Sequence, residues 1–303
     1  MKALASFILR GPSQAVLVVV GFAVLAMMLP PLSLLSSAAL ALVTLRIGWR
    51  YGAAVMLGST AFVAGLAWLS LGNVLPGLVF LALVWLPLWI LGGVLRDSRS
   101  LAMATLVAGG LGVAGVILTY LLLGDVSAWW QQVLLTLFEP AMESGGPMAD
   151  RAMVEPMLAE IAHVMTGIMA AGMVMNALLG LYLARSWQAT LFNPGGFRGE
   201  FYGLRLGRVS AYVALVVIAL SLLPLGGLAT MAGEVAIVVL SLYILQGLAM
   251  IHAIVAHRKL HVAWLVVLYG VTLFVMPHLL VVVALFGLVD TWIDFRRREG
   301  MTV

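Results

Sequence analysis

The stretch Met157–Arg185 reads MLAEIAHVMTGIMAAGMVMNALLGLYLAR. It is apolar over a length that crosses a lipid bilayer, which takes about 20 residues of helix. The polar side chains Glu160, His163 and Asn176 are exceptions within it. The polar connection 124–156, GDVSAWWQQVLLTLFEPAMESGGPMADRAMVEP, lies directly in front of it. This pairing predicts a membrane helix that enters the bilayer from a polar surface segment.

Composition extends this prediction to the whole chain. Of 303 residues, 64% are hydrophobic and 9% are charged, whereas a soluble domain has about a quarter of its residues charged. The mean hydropathy is +1.15. The basic residues are scattered between apolar segments, so the net charge of +4 does not predict a nucleic-acid surface. The absence of cysteine excludes disulfides, thiolate nucleophiles and cysteine metal sites.

Hydropathy predicts an all-α membrane bundle of about ten helices, with eight as the lower bound. The ten segments are roughly 14–29, 32–46, 51–70, 75–95, 100–123, 157–185, 209–225, 233–256, 261–276 and 279–295. Two breaks decide this count, at Pro30-Pro31 and at Pro277-His278. Without them each apolar run would be about 50 Å long as one helix, too long for a bilayer of about 30 Å. Proline also removes a backbone donor, so each run is predicted to fold as a hairpin.

The charges predict the orientation. On this topology 15 of the 16 basic residues fall on one face, and only Arg151 falls on the other. The positive-inside rule then places both termini in the cytoplasm and the connection 124–156 outside. Residues 1–186 form a six-helix bundle, 187–208 a cytoplasmic loop and 209–303 a four-helix part. Trp129 and Trp130 indicate an amphipathic helix at the outer interface, either a surface cap or a lid over a site.

Ionisable groups at membrane depth are candidates for function. Glu160 and His163 are three residues apart, so they share a face of one helix. They are a candidate substrate or proton site beneath the outer connection, or an interfacial hydrogen bond that fixes the helix end. Asn176 is a candidate ligand contact or a link between helices, with Gln246 or His252 as its partner.

Two carboxylates share a face near the end of the last segment. Asp290 and Asp294 are four residues apart at a helix C-terminus, where the macrodipole disfavours negative charge. Arg298 lies four residues beyond Asp294. We expect a structural ion-pair cluster of Asp290, Asp294 and Arg298; the other interpretation is a cation site. No catalytic triad, HExxH motif or phosphate loop occurs, so we expect no enzyme activity, metal or cofactor.

Small residues recur at helical spacing in two segments. The stripes are Ala54, Gly58, Ala61, Gly65 and Ala104, Ala108, Gly112, Gly115. Such stripes let neighbouring helices approach closely, and they predict packing faces inside the chain or toward a partner subunit.

Three stretches together resemble a known family: RIGWRYG at 46–52, LFNPGGFRGEFYGLRLGR at 191–208 and GLVDTWIDFRRR at 287–298. They resemble the YybS-like family of bacterial polytopic membrane proteins. That family is distantly similar to the S components of energy-coupling-factor transporters. The resemblance implies six S-component-like helices in segments one to six, an outer loop that closes over a small ligand, and a multi-pass protein of the bacterial cytoplasmic (inner) membrane.

Two functions follow as hypotheses. The first is a small-molecule binding or transport subunit, which predicts an outward cavity walled by segments one to six. The second is a non-transport scaffold or envelope assembly factor, which predicts a filled core and membrane or cytoplasmic protein partners. Ten helices also fit an inverted repeat of five and five, although the halves share no clear sequence repeat. In every case the lipid bilayer is the main partner, and nucleic acid is not one.

Overall fold

A computed structural model describes residues 1–143, 151–276 and 278–298, and the regular structure within these ranges is helical. The helices of the first part are α1 (Lys2–Ile8), α2 (Pro12–Ala26), α3 (Ser33–Arg46), α4 (Trp49–Leu71), α5 (Leu75–Val79), α6 (Leu86–Ser98), α7 (Leu101–Leu123) and α8 (Val126–Glu143). Those that follow are α9 (Arg151–Ala162), α10 (Met165–Phe192), α11 (Gly196–Tyr202), α12 (Arg208–Ser221), α13 (Gly227–His257), α14 (Ala263–Phe274), α15 (His278–Ile293) and α16 (Phe295–Arg298). The all-α prediction is confirmed.

Five helical stretches in the described ranges are long and apolar enough to cross a membrane. They are Trp49–Leu71, Leu75–Ser98, Leu101–Leu123, Met165–Phe192 and Gly227–His257. Five shorter apolar helices occupy the other predicted segments: Pro12–Ala26, Pro30–Arg46, Arg208–Ser221, Ala263–Phe274 and His278–Ile293. The hydropathy pattern therefore located the apolar helices. By length and composition, five of them could span a membrane and the other five are shorter.

Proline-rich turns separate the short helices. Pro30–Leu32 forms a 3₁₀ turn, after which α3 packs back against α2. The hydroxyl of Ser36 on α3 donates to the carbonyl oxygen of Val19 on α2, at 2.8 Å. Near the second predicted break, α14 ends at Phe274 and α15 begins at His278, while Pro277 lies outside the described residues. Both apolar runs are thus divided into two helices, as predicted.

The centre of the bundle is formed by α3 and α10. The side chains of residues 38–43 on α3 are all fully buried, and α10 packs against α3, α7 and α13. The helix α10 continues to Phe192, so the domain boundary predicted at 186 falls inside a helix. Contacts of α13 with α7 and α10 join the C-terminal helices to the first part of the chain.

The two ends of the bundle differ in charge. At one end, which we call the basic end, Arg96 donates from Nη1 to the carbonyl oxygen of Leu45 at 2.8 Å, and the guanidinium of Arg46 lies 3.9 Å from the ring centroid of Phe192. At the other, the acidic end, α8 and α9 carry four glutamates, Glu139, Glu143, Glu155 and Glu160. These two helices pack together around their own apolar cluster, Leu134, Met142, Val154, Leu158 and Ala162. The predicted outer connection is therefore two packed helices.

The first small-residue stripe does not pack inside the chain. Ala54, Gly58, Ala61 and Gly65 are all exposed on α4, whose buried face is instead Gly52, Val55, Met56, Ser59, Thr60, Val63 and Ala67. Small residues permit a close contact between helices, but their spacing does not show which neighbouring helix makes that contact. Of the second stripe, Ala104, Ala108 and Gly112 are buried, and Gly115 is exposed.

Candidate functional site

The predicted pair Glu160 and His163 does not share one continuous helix. The helix α9 ends at Ala162 and α10 begins at Met165, so a turn separates the segment that the sequence predicted as a single span. Both side chains are exposed, and His163 Nδ1 lies 3.0 Å from the hydroxyl oxygen of Ser127 on α8. The histidine thus joins α8 to the turn, and the two residues do not form a common buried site.

The third predicted substrate residue, Asn176, lies apart from that pair. Its amide nitrogen donates to the hydroxyl of Ser33 at the start of α3, at 2.9 Å. The expected partners Gln246 and His252 are therefore wrong. Gln246 instead accepts from the backbone N–H of Leu206 at 2.8 Å and donates to the carbonyl oxygen of Gly287 at 2.6 Å. Asn176 thus links two central helices, in agreement with the helix-contact interpretation.

A buried carboxylate explains why the helix breaks. Glu234 on α13 is 1% exposed, and its Oε1 accepts from the backbone N–H of Thr166 at 3.2 Å. This amide is one of the unbonded donors in the first turn of α10, where the helix dipole favours a negative charge. Beginning α10 at Met165 places that turn against Glu234. Within the described residues, the second oxygen, Oε2, has no hydrogen-bond partner.

The helix α8 covers this carboxylate. Trp130 donates from its indole nitrogen to the hydroxyl oxygen of Thr166 at 2.8 Å, so α8 is fixed to the residue whose backbone Glu234 binds. The hydroxyl of Tyr120, at the end of α7, faces the carboxylate of Glu234. The buried group at the acidic end is therefore Glu234, Tyr120, Thr166 and Trp130.

Sequence reasoning missed Glu234 as a site residue, although a signal was present. It is the only acidic residue between Glu200 and Asp290, and it stands in the apolar run MAGEVAIVVL. The rule that singled out Glu160 applies to it with more force, because Glu160 proves to be exposed and Glu234 buried. Its partners come from α7, α8 and α10, so spacing along the sequence does not reveal them.

An apolar cavity of about 340 Å³ lies between the π-helical segment Phe80–Trp85, which joins α5 to α6, and the helices α6, α7 and α10. Its floor is made of buried residues, among them Leu91, Ala108, Gly112, Val174 and Ala177. Its rim is made of exposed large side chains, Leu83, Leu86, Leu111, Leu118 and Met173. The cavity therefore opens sideways from the bundle, through a surface that is itself apolar. A volume above about 300 Å³ is typical of small-molecule sites.

A proline produces one wall of this cavity. The segment Phe80–Trp85 is π-helical, and Pro87 follows at the start of α6. Proline has no N–H and its ring collides with the carbonyl four residues earlier, so the preceding turn widens. Trp85 at the end of the wide turn is fully buried and donates to the hydroxyl of Ser36 at 3.1 Å. Ala82 and Leu83 in the wide turn line the cavity.

The predicted carboxylates Asp290 and Asp294 are both paired at the basic end. Asp290 and Arg296 form a fully buried ion pair at 2.5 Å. Arg296 also donates to the carbonyl oxygens of Tyr202 and Leu204, at 2.7 and 3.0 Å. Arg205 binds Asp294 through two nitrogens, at 2.8 and 2.6 Å. The cations are Arg296 and Arg205, while the side chain of the expected partner Arg298 lies outside the described part of the chain.

These contacts change the acidity of Asp294, the less buried carboxylate of the cluster. Burial alone raises the pKa of Asp294, but the backbone N–H of Arg297 and the guanidinium of Arg205 outweigh it. The pKa of Asp294 is therefore held below its ordinary value. The carboxylate is an anchor for the tail and the 203–207 connection, since each of its oxygens accepts from a nitrogen of one or the other.

Within the described ranges, no three His, Asp or Glu side chains are grouped so that they can hold a metal ion. Comparison of the chain with protein-family models, with curated proteins and with solved structures found no match. The resemblance to the YybS-like family stays a prediction from the three stretches that carry it.

Proposed function

We propose that this chain is a multi-pass protein of the bacterial cytoplasmic membrane that binds a lipophilic small molecule, as a binding or transport subunit. The observation that carries the proposal is the sideways apolar cavity between the π-helical segment, α6, α7 and α10. These helices belong to the predicted first six segments, the part that the resemblance implies to be S-component-like. Because the lining is apolar, the ligand class differs from the polar one that Glu160 and His163 would have implied.

The proposed route runs through the bilayer. A ligand dissolved among lipid chains reaches the rim at Leu111 and Leu118 without crossing water, and enters the space above Gly112. Displacing lipid from an already apolar surface costs little, so selectivity comes from the shape of the floor. Gly115 provides depth, because a Cβ added there meets open space and a larger side chain would occupy the cavity.

The proposed topology has ten membrane helices and cytoplasmic termini. Five helices qualify by length, and the five shorter ones are apolar and pack as neighbours of the long ones. The arginines at the basic end support a cytoplasmic position for that end. Helices shorter than the bilayer are accommodated by local thinning or by flanking side chains at a modest cost.

A cavity-filling variant tests the binding function. Gly115 lines the cavity, and a Cβ added there has open space, so Gly115→Phe fills the chamber without a backbone collision. Gly110 on the same helix also has open space and is outside the lining, which makes Gly110→Phe the matched control. Each variant is purified in lipid nanodiscs, and the lipophilic compounds that co-purify are extracted and identified by mass spectrometry.

We expect a compound that is enriched over the bulk lipids in the wild type, retained in Gly110→Phe and reduced at least about tenfold in Gly115→Phe, because a buried aromatic ring displaces a ligand of similar volume. An equal retained amount in all three proteins contradicts the proposal. A crosslink from a diazirine-bearing apolar probe to residues 170–177 gives a second readout.

The alternative function is a non-transport scaffold, and one observation favours it. The stripe Ala54, Gly58, Ala61 and Gly65 is exposed on a membrane-length helix, where a partner helix can approach closely. Gly65 has no atom within 4 Å of an added Cβ, so Gly65→Leu leaves the chain's own packing intact. Loss of a co-purifying membrane protein in Gly65→Leu, with ligand retention unchanged, supports the scaffold instead of the cavity.

A further inference from the structure

A second cavity, unrelated to the apolar one, lies at the basic end. It has a volume of about 280 Å³ and is bounded by the ends of α3, α6 and α10 and by α11. Leu45 and Leu95 form its apolar base, and both are buried. The remaining lining is polar and carries three arginines and one glutamate. A polar cavity with this excess of positive charge, at the end of membrane helices, attracts anions.

Two of the arginines have donors to spare. Arg96 uses Nη1 for the carbonyl oxygen of Leu45, which leaves Nε and Nη2 available. In the described part of the chain the guanidinium of Arg99 makes no hydrogen bond or ion pair. A planar guanidinium with free donors binds phosphate through two parallel hydrogen bonds. The two side chains come from one turn, where α6 ends and α7 begins.

The backbone of Arg99 indicates that its side chain matters. It ends α6 in the left-handed conformation, with φ of 54° and ψ of 25°. Glycine adopts this conformation at a helix end without strain, and an arginine does not. A strained backbone at a residue that lines a cavity and has unused donors is typical of binding positions. The turn thus holds the guanidinium of Arg99 at the mouth of the cavity.

The glutamate does not cancel this charge, because it is already paired. Arg185 binds both carboxylate oxygens of Glu200, one of them at 2.8 Å, and its remaining nitrogen donates to the side-chain oxygen of Gln188 at 2.6 Å. Arg185 and Glu200 together are neutral, so Arg96 and Arg99 give the cavity a net charge of about +2, which favours an anion. The paired residues form a rigid wall on the side of α10 and α11.

We propose that this cavity binds the phosphate of an anionic lipid headgroup. The arginine guanidinium groups supply the phosphate contacts, and the apolar base at Leu45 and Leu95 suits the start of an acyl chain. An anionic lipid matches the net charge of the lining, whereas a zwitterionic lipid adds a cationic group that the arginines repel. Bound there, the lipid bridges the α6–α7 turn to α10 and α11.

Native mass spectrometry of the full chain tests the proposal. The wild type, Arg99→Gln and the double variant Arg96→Gln/Arg99→Gln are titrated with dioleoyl phosphatidylglycerol, with dioleoyl phosphatidylcholine and with inorganic phosphate. Arg10→Gln is the matched control, because Arg10 is exposed and lies outside the lining. Thermal unfolding checks that each variant is folded. Arg99→Gln removes the charge but keeps an unbranched stem with a polar end, so the turn itself changes little.

We expect phosphatidylglycerol to bind the wild type and Arg10→Gln equally, and to bind Arg99→Gln about fivefold more weakly, since one arginine near an anionic headgroup contributes about that factor. The double variant loses more than Arg99→Gln alone. Equal binding by all variants, or an equal loss in Arg10→Gln, overturns the site. Binding of inorganic phosphate as tight as that of the lipid overturns the lipid assignment, as does equal binding of phosphatidylcholine.

Discussion

At the scale of single residues, the most consequential side chain is Glu234. It binds the first turn of a helix from a different part of the chain, so it stabilises α10 in the way an N-cap residue does. The carboxylate of Glu234 is enclosed by α8 and by Tyr120. If it were removed, water would not replace it as the acceptor for the Thr166 N–H. The carboxylate is thus a structural requirement of the acidic end as well as a candidate for proton or ligand binding.

Neutralising Glu234 should therefore destabilise the protein. We expect Glu234→Gln to lower the free energy of unfolding by about 1 kcal/mol, because the charge at the helix N-terminus is lost while an acceptor oxygen stays. Unfolding is followed by denaturant titration in mixed micelles. Glu160→Gln is the control, since Glu160 is exposed, and it should change the stability by less than about 0.5 kcal/mol. Equal effects would contradict the role assigned to Glu234.

The contact of Asp294 with Arg205 should depend on acid. Because the pKa of Asp294 lies below its ordinary value in the folded protein, its contribution to stability is present above the pKa of an unfolded aspartate. That contribution is lost as the pH falls through the lowered pKa. Hydrogen exchange of residues 203–207 measured across pH 5 to 2, corrected for intrinsic rates, should show the loosening. In Asp294→Asn the exchange should be fast throughout and show no such transition.

At the scale of elements, sequence reasoning worked where the cause is local. The turn at Pro30-Pro31 follows from proline chemistry, and the turn at Asn193-Pro194-Gly195-Gly196 follows from its proline and glycines, with Gly195 at a φ of +87°. The break between α9 and α10 was missed because its cause, Glu234, is 68 residues away from Thr166. For the stripe on α4 the sequence left two directions open, and the structure leaves it exposed, because its neighbours and not its own residues decide which face is buried.

The candidate sites show the same division. The carboxylates Asp290 and Asp294 were recognised because two like charges at a helix end need compensation. The cations that compensate them, Arg205 and Arg296, were not identified by spacing from the helix. The cavity was not predictable, since it depends on a widened turn and on three helices that approach from separate parts of the sequence.

The helix α8 supplies the prediction at this scale. Trp130→Phe removes the hydrogen bond to Thr166 but keeps an aromatic ring in place. A hydrogen bond contributes about 1 kcal/mol, so amide exchange in 126–143 should become about fivefold faster. Trp129→Phe is the matched control, because Trp129 is 40% exposed and its indole nitrogen makes no hydrogen bond within the described residues. If both variants exchange alike, α8 is held by its apolar contacts with α9 and not by Trp130.

At the scale of the whole molecule, the separation of charge between the two ends predicts how the protein sits in the membrane. The chain has no cysteine, so single cysteines can be placed at will. Gly199→Cys lies at the basic end and Glu143→Cys at the acidic end, and both positions are exposed. We expect a membrane-impermeant maleimide added to intact cells to label Glu143→Cys only, and to label Gly199→Cys after the membrane is opened. The reverse pattern would invert the proposed orientation.

The hydrogen bonds from Arg296 to the carbonyl oxygens of Tyr202 and Leu204 affect the order in which the protein folds during synthesis. The two carbonyl oxygens leave the ribosome 94 and 92 residues before the arginine that binds them. These two carbonyl oxygens therefore have no arginine partner while α12 to α15 are synthesised and inserted. A chain that ends before Arg296 would bury Asp290 without its cation, which costs about 3–5 kcal/mol. Translation stopped just short of Arg296 should therefore yield a product that membrane proteases remove.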